Sequence, residues 1–163
     1  MLRHAHQASV EHVVPRSHFK DPRTALGPRD PNGWVVAAQK ANSARGNSPL
    51  TLWPRINQSV ALGHYRPPFE ERARLARKWL YMRYTYSDEL DLETHPPSKA
   101  QVVKAALIAA WVRNNPPDET EMAMNDAVHA ELGWSNPLLD RDEAVRNQFL
   151  DSSEFRARAF RVR

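Results

Sequence analysis

Two short polar clusters constrain the fold of this chain more than any other feature. The first is Glu11-His12, followed at once by Val13-Val14-Pro15, and the second is the segment 42–47, which begins and ends with asparagine. The paired valines indicate a strand that ends at the proline, because proline has no amide hydrogen to continue a β-ladder. Together the two clusters look like the halves of one site, which the fold must bring together.

The residues around the clusters predict the order strand, loop, strand, short helix. Segment 30–33, Asp-Pro-Asn-Gly, carries turn chemistry, and Gly33-Trp34-Val35-Val36 reads as a second short strand. Residues 37–45 contain good helix formers, so we expect a short helix that ends near Gly46. The second cluster would then lie on this helix and just beyond its end.

The C-terminal half of the chain is predicted to be helical, over about 69–84, 98–115 and 118–133. We expect one face of the second helix to carry Val103, Leu107, Ala110 and Trp111. The inner face of the third would hold Glu121 and Asn125 beside Val128 and Leu132. Because buried polar groups cost free energy unless they are paired, Glu121 and Asn125 are expected to line a polar feature.

The residue types in the two clusters suit metal-assisted cleavage of a phosphodiester bond. Oxygen ligands favour Mg²⁺, and histidine titrates near neutral pH, as a general base should. Glu11 and His12 would face opposite sides of a regular strand, so they converge only where the strand ends or twists. Taken alone, this pair is also compatible with ordinary surface or capping residues.

Composition adds a weaker signal for a polyanionic partner. The 163 residues carry a formal net charge of +4, mostly from arginine, and contain no cysteine, which excludes disulfides and thiolate zinc sites. Neither a signal peptide nor a membrane-spanning stretch is visible. We therefore expect no membrane association and a cytoplasmic protein as written, or an exported one if a leader has been removed.

The two clusters resemble the signatures of the endonuclease I family, the nonspecific nucleases of the ββα-metal (His-Me finger) superfamily. Segment 76–82 is similar to a helix of that family, and later matches follow in order over roughly residues 10–140, at Trp111, 115–117, Glu121, Asn125 and 136–137. The resemblance implies an α+β fold, a mainly helical domain with an embedded ββα-metal unit. That domain would span 1–140, with the ββα unit at about 9–47, the helical part at about 69–133, and a charged C-terminal helix or tail at 141–163.

The resemblance also implies roles for individual residues. His12 would be the general base, Glu11 and Asn42 would bind a single Mg²⁺, with Mn²⁺ or Ca²⁺ as substitutes, and the products would carry 5′-phosphate ends. Arg45 is assigned to the catalytic group, with a structural role in the helix as the equal alternative. Arg16, His18 and Arg77 are assigned as substrate contacts. A salt bridge with Glu121 is the alternative for Arg77. The supporting residues are Asp30, Asn47, Glu121, Asn125 and Asn136.

The sequence departs from the family pattern at two positions. Asn32 stands where the family has histidine, and Met124 where it has arginine. The expected activity is metal-dependent hydrolysis of DNA, with RNA as a further candidate substrate, through phosphate contacts with low sequence specificity. The rivals are an inactive nucleic-acid-binding protein and a structure-selective nuclease on the same fold. A monomer is favoured, and a protein inhibitor is a conceivable partner.

Overall fold

The computed structural model describes residues 8–48, 71–95 and 105–161, and its elements are mainly helical. The described elements are strands β1 (Ala8–His12) and β2 (Trp34–Ala38) and helices α1 (Gln39–Arg45), α2 (Arg72–Thr85), α3 (Ala105–Asn114), α4 (Glu119–Leu132), α5 (Glu143–Asp151) and α6 (Ser153–Ala159). A two-stranded sheet combined with packed helices is an α+β architecture.

Strands β1 and β2 form an antiparallel pair that runs directly into α1. Ala8 pairs with Ala38 at one end of the ladder and His12 with Trp34 at the other. The predicted order of elements is confirmed, but β1 ends at His12 rather than at the following valines, which belong to the core. Helix α1 begins two residues later than predicted, since 37–38 are still paired in the ladder, and it ends at Gly46 with φ 52°.

Helix α2 is the central element of the helical part. It packs against α3, α6 and the turn Pro31–Gly33, and it buries Leu75, Ala76, Leu80 and Met82. A helix that is covered on several sides also buries its polar positions, so its cations must find partners inside the protein. Its buried basic residues are Arg72, Arg77, Lys78 and Arg83.

Two face assignments made from the sequence are wrong in part. On α3, Trp111 packs against the core as predicted, but Ala110 is exposed while Ile108 and Val112 are buried. The predicted positions Val103 and Leu107 lie outside the part of the chain whose side chains the structure describes. On α4, Glu121, Asn125 and Val128 are buried as predicted, but Leu132 is 40 % exposed because the helix ends there. The predicted start of the second helix near 98 lies outside the described residues.

The C-terminal segment packs into the core as two helices instead of one helix or a tail. Phe155 and Ala159 of α6 are fully buried, and α6 lies along α2. Arg83 of α2 donates to the backbone oxygens of Ala159 at 2.7 Å and of Arg161 at 2.9 Å. These bonds use carbonyls that the end of a helix leaves without partners. No helix in the described ranges has the length and apolarity needed to cross a membrane.

Candidate functional site

Arg45, the last residue of α1, ties the helix to the end of β1. Its side chain is almost wholly buried, and its Nη atoms donate to the backbone oxygens of His12 at 2.6 Å and Val13 at 2.9 Å. Its Nε donates to the oxygen of Ser48 at 3.1 Å, and its guanidinium forms an ion pair with Glu11. The two polar clusters of the sequence therefore meet through Arg45, and these contacts are those of a positioning residue.

The two carboxylate oxygens of Glu11 differ in their contacts. Oε1 contacts Arg45, whereas Oε2 is buried and has no hydrogen-bond partner among the described residues. An unsatisfied buried carboxylate oxygen is costly, and a bound cation is one of the ways to satisfy it. Glu11 can therefore supply a ligand to a metal without breaking its ion pair with Arg45.

Asn42 lies on α1 with its amide turned toward β1. Its Nδ2 donates to the Ser9 hydroxyl and to the Val10 backbone oxygen, both at 3.1 Å. The second bond fixes the orientation of the amide, because a backbone oxygen can only accept. Oδ1 makes no hydrogen bond with any residue of the described segments, so it remains available as an oxygen ligand.

His12 ends β1, and its ring is fixed by a hydrogen bond to the loop between the strands. Nε2 donates to the backbone oxygen of Pro28 at 3.0 Å, and the ring meets Trp34 edge-on with centroids 6.0 Å apart. Since the acceptor is a carbonyl, Nε2 must carry the hydrogen, which leaves the lone pair of the neutral ring on Nδ1. The strand does end at His12, as convergence with Glu11 requires.

The surroundings of His12 favour its neutral form. Burial lowers its pKa from the usual value, the bond to Pro28 opposes that effect, and the nearby positive charge of Arg16 lowers the pKa further. A neutral imidazole with a free nitrogen can accept a proton at pH 7. Arg16 lies four residues after His12 and is exposed, so a polyanion could reach it.

Asp30 is buried behind the strands and is held by two tyrosines of the helical part. Its Oδ2 accepts from the Tyr81 hydroxyl at 2.7 Å and the Tyr86 hydroxyl at 2.8 Å. Its Oδ1 accepts from the backbone N–H of Asn32 at 2.8 Å. The backbone oxygen of Asn32 accepts from Lys78 Nζ at 3.2 Å. Asn32 is thus part of the packing between the loop and α2.

Arg77 is 2 % exposed and is paired inside the protein. Its guanidinium binds both carboxylate oxygens of Glu121 and donates to the backbone oxygen of Asn115. The predicted alternative to a phosphate contact, a salt bridge with Glu121, is the arrangement present. A guanidinium held in this way is engaged inside the protein, and its contact with substrate stays a prediction.

Glu121, Asn125 and Asn136 hold the helical part together. Glu121 completes a capping box with Asp118 at the start of α4, in addition to binding Arg77. Asn125 Oδ1 accepts from the backbone N–H of Asn136 at 2.7 Å, and Asn136 Oδ1 accepts from Leu138 at 3.0 Å. The polar feature expected beside α4 is this set of buried pairs. None of these pairs includes His12, which lies at the end of β1.

His18 is half-buried and stacks on His95, with ring centroids 4.2 Å apart and planes 13° from parallel. The pKa of His18 is lowered to about 4, mainly by burial and then by the neighbouring His95. A hydrogen bond to the backbone of Asn47 and the charge of Asp91 oppose this shift. The ring is therefore engaged between two loops. Asn47, which was predicted to support the helix end, is exposed and lies against this histidine.

The donor set fits a cation that keeps most of its water. Among the described residues, no three His, Cys, Asp or Glu side chains are grouped so that they could hold a metal ion. Glu11 and Asn42 offer two oxygen atoms, and Mg²⁺ is commonly held by one or two protein ligands together with water. The unpartnered Glu11 Oε2 is the observation that favours a cation at this place.

The sequence analysis did not identify the groups that fix His12 and the loop beside it. These groups are the Pro28 backbone oxygen, Tyr81, Tyr86 and Lys78. Burial lowers the pKa of Lys78 to about 8. A backbone acceptor leaves no residue signature, and the tyrosines read as ordinary core positions at helical spacing. Asp30 was the only sequence signal for this set.

Comparison with known protein families gives a match. The family model described as Endonuclease I matches residues 3–143 of the chain. That span includes β1, β2, α1, α2, α3 and α4, and it reaches the first residue of α5. A search of curated proteins found none that matches.

Proposed function

Because this chain belongs to the endonuclease I family, we propose that it is a Mg²⁺-dependent endonuclease that hydrolyses DNA, and also RNA, with low sequence specificity. Family membership makes it a nuclease with a nucleic-acid substrate. The observation that carries the finer proposal is the buried link that Arg45 makes from α1, the helix of Asn42, to Glu11 and the backbone of His12 on β1. The strand-strand-helix unit would be the ββα-metal motif of this superfamily.

Glu11 Oε2 and Asn42 Oδ1 would hold the ion, with Mn²⁺ or Ca²⁺ as substitutes. Both are oxygen ligands, and both project from elements that Arg45 locks together. When bound, a divalent cation would polarise the scissile phosphate and stabilise negative charge as the leaving oxygen departs. The bond from Arg45 to Glu11 Oε1 leaves one carboxylate oxygen for the metal and keeps the carboxylate in one orientation.

His12 would act as the general base through Nδ1. A water molecule loses a proton to Nδ1 as its oxygen forms a bond to phosphorus, and the bond from phosphorus to the 3′ oxygen breaks on the opposite side. The 3′ oxygen takes a proton from solvent, so the products carry a 5′-phosphate and a 3′-hydroxyl. The hydrogen bond of Nε2 to Pro28 keeps the second nitrogen protonated and Nδ1 free to accept.

Arg45 is better explained as a positioning residue than as a group that touches the phosphate. Its guanidinium is buried and engaged with Glu11 and three backbone oxygens. Exposed cations near His12, such as Arg16, are the better candidates for contact with the nucleic-acid backbone. Contacts to phosphates carry no direct sequence information, which agrees with low specificity.

The test is digestion of supercoiled plasmid by the purified protein, with Mg²⁺, with excess EDTA, and with His12→Ala and His129→Ala. His129 is exposed on α4 and belongs to neither proposed polar cluster, so it serves as the matched control. Mg²⁺-dependent smearing that only His12→Ala abolishes would support the proposal. Discrete bands would favour a structure-selective nuclease, and intact plasmid with a retained gel shift under every metal would favour an inactive binding protein.

A further inference from the structure

One buried carboxylate near the candidate site takes no part in the proposed reaction. Asp30 is 2 % exposed and lies in the loop between β1 and β2, next to the turn Gly27–Arg29. We propose that Asp30 is a positioning residue that sets the orientation of the His12 ring through the backbone oxygen of Pro28. This inference rests on the proposed function of His12 as the general base.

Asp30 is fixed by donors from two directions. The hydroxyls of Tyr81 and Tyr86 bind Oδ2, and the backbone N–H of Asn32 binds Oδ1, all within 2.8 Å. Tyr81 belongs to α2, and Tyr86 follows its last turn. Hydrogen bonds to a carboxylate in a dry site are short and strong, so the helical part holds this loop residue in a single position.

The position of Asp30 determines the position of Pro28. The backbone N–H of Asp30 donates to the oxygen of Gly27 at 3.2 Å, which closes the turn that has Pro28 at its centre. The N–H of Gly27 donates to the Glu89 carboxylate at 3.1 Å. Gly27 also lies so close to aromatic rings that an added Cβ would be 2.3 Å from Phe19 and 3.1 Å from Tyr86. The turn therefore cannot move unless Tyr86 and its neighbours move.

Pro28 in turn determines which nitrogen of His12 is free. Its oxygen accepts from His12 Nε2 at 3.0 Å and from Trp34 Nε1 at 3.2 Å, so two donors converge on one atom. If that oxygen moved away, the ring could rotate or change tautomer, and the hydrogen could reside on Nδ1. A base whose accepting nitrogen carries a hydrogen cannot take a proton from water.

A double variant, Tyr81→Phe with Tyr86→Phe, tests the proposal with the protein intact, because it removes only the two hydroxyls. Tyr84→Phe is the matched control, since Tyr84 lies on the same helix but packs on Phe149, with ring centroids 4.9 Å apart. The first readout is the ¹⁵N NMR signature of the His12 ring at a pH well above the usual histidine pKa of about 6.5. The second is the Mg²⁺-dependent rate of plasmid cleavage.

We expect the wild type and Tyr84→Phe to show the hydrogen on Nε2 alone. The double variant should show a mixture of tautomers, and its kcat should fall about tenfold to a hundredfold with little change in KM, as for a displaced catalytic group. A double variant with the wild-type tautomer and a kcat within about twofold of wild type would overturn the proposal.

A second route covers the case in which the double variant does not fold. Gly27→Ala pushes the same turn from the Phe19 side, and the single tyrosine variants each leave Asp30 one hydroxyl donor. The same loss of the pure Nε2–H form is expected in each, to a smaller degree in the single variants. If the wild type cleaves no nucleic acid with any metal, the proposed nuclease chemistry fails, while the NMR comparison still decides whether Asp30 orients His12.

Discussion

The guanidinium of Arg45 and the carboxylate of Glu11 form a buried ion pair that joins the end of α1 to the end of β1. The same guanidinium binds the backbone oxygens of His12 and Val13. One side chain therefore fixes the proposed metal ligand and the backbone of the proposed base at the same time. Loss of the Arg45 guanidinium should affect both the stability of the fold and the geometry of the site.

We expect Arg45→Met to destabilise the protein by about 3–5 kcal/mol, because removing one partner of a buried pair leaves the other charge uncompensated. Urea unfolding followed by circular dichroism measures the difference in the free energy of unfolding. Arg23→Met is the matched control, since the Arg23 side chain is 92 % exposed. It should change stability by less than about 0.5 kcal/mol. Equal effects of the two substitutions would show that Arg45 does not join helix and strand.

Mg²⁺ should raise the Tm of the wild type, because an ion that binds only the folded state stabilises it. At an ion concentration of about a hundred times Kd the gain is roughly 2.7 kcal/mol. In Glu11→Gln the carboxylate is neutralised, so the Mg²⁺-dependent rise in Tm should be lost. Differential scanning fluorimetry with increasing Mg²⁺ measures this without any nuclease assay.

Glu119→Gln is the matched control for that experiment. Glu119 is an exposed carboxylate on α4 that pairs with Arg141, so its neutralisation should leave the Mg²⁺-dependent shift intact. A shift that survives in Glu11→Gln, or one that is lost equally in both variants, would argue against Glu11 as a ligand of the metal.

The sequence predicts the ββα order and the limits of α4 well because these depend on local signals. The run before Pro15 and the cap residues Asp118 and Gly133 act within a few residues of the element they limit. It fails for the exposed Ala110, because burial on that helix depends on which neighbouring helix packs against it. For 141–163 the sequence predicted a helix or a tail, and it did not show that the segment forms two helices with Phe155 fully buried.

For the candidate site, the residues were predictable but their pairing was not. Glu11, His12 and Asn42 stand out by type, and the structure places all three on the ββα unit. The question left open for Arg45, structural or direct, depends on burial and on backbone acceptors such as Val13. The pairing of Arg77 likewise could not be read from the sequence, because it depends on the position of Glu121 on another helix.

Phe155→Ala should destabilise the protein by about 3–5 kcal/mol, as expected when a large buried aromatic side chain is truncated. The ring of Phe155 packs against Phe149 and Tyr84, so its loss would open a cavity between α2 and the C-terminal helices. Val145→Ala, at a 39 % exposed position on α5, is the control and should have little effect. Urea midpoints that differ by no more than the control would mean that α6 contributes no core.

His18 should make the protein sensitive to acid, and the sign follows from its lowered pKa. In the folded protein the pKa is about 4, whereas the unfolded chain has the usual value of 6.5. Below pH 6.5 the unfolded state therefore binds a proton that the folded state does not, so stability falls as pH drops from 6.5 toward 4. Above that window both states carry a neutral ring and this contribution is constant.

The experiment compares the free energy of unfolding of wild type and His18→Gln from about pH 7.5 down to about pH 4.5, since glutamine does not titrate in that window. The stack on His95 and the bond to Asn47 favour the wild type near neutrality, so the variant should be less stable there. The gap should shrink as the pH falls, because only the wild type then loses the stability tied to His18. His129→Gln, at an exposed histidine, should keep a constant gap. If the stability difference between wild type and His18→Gln also stayed constant with pH, His18 would have the same pKa in the folded and unfolded states. It would then not be the cause of the loss of stability in acid.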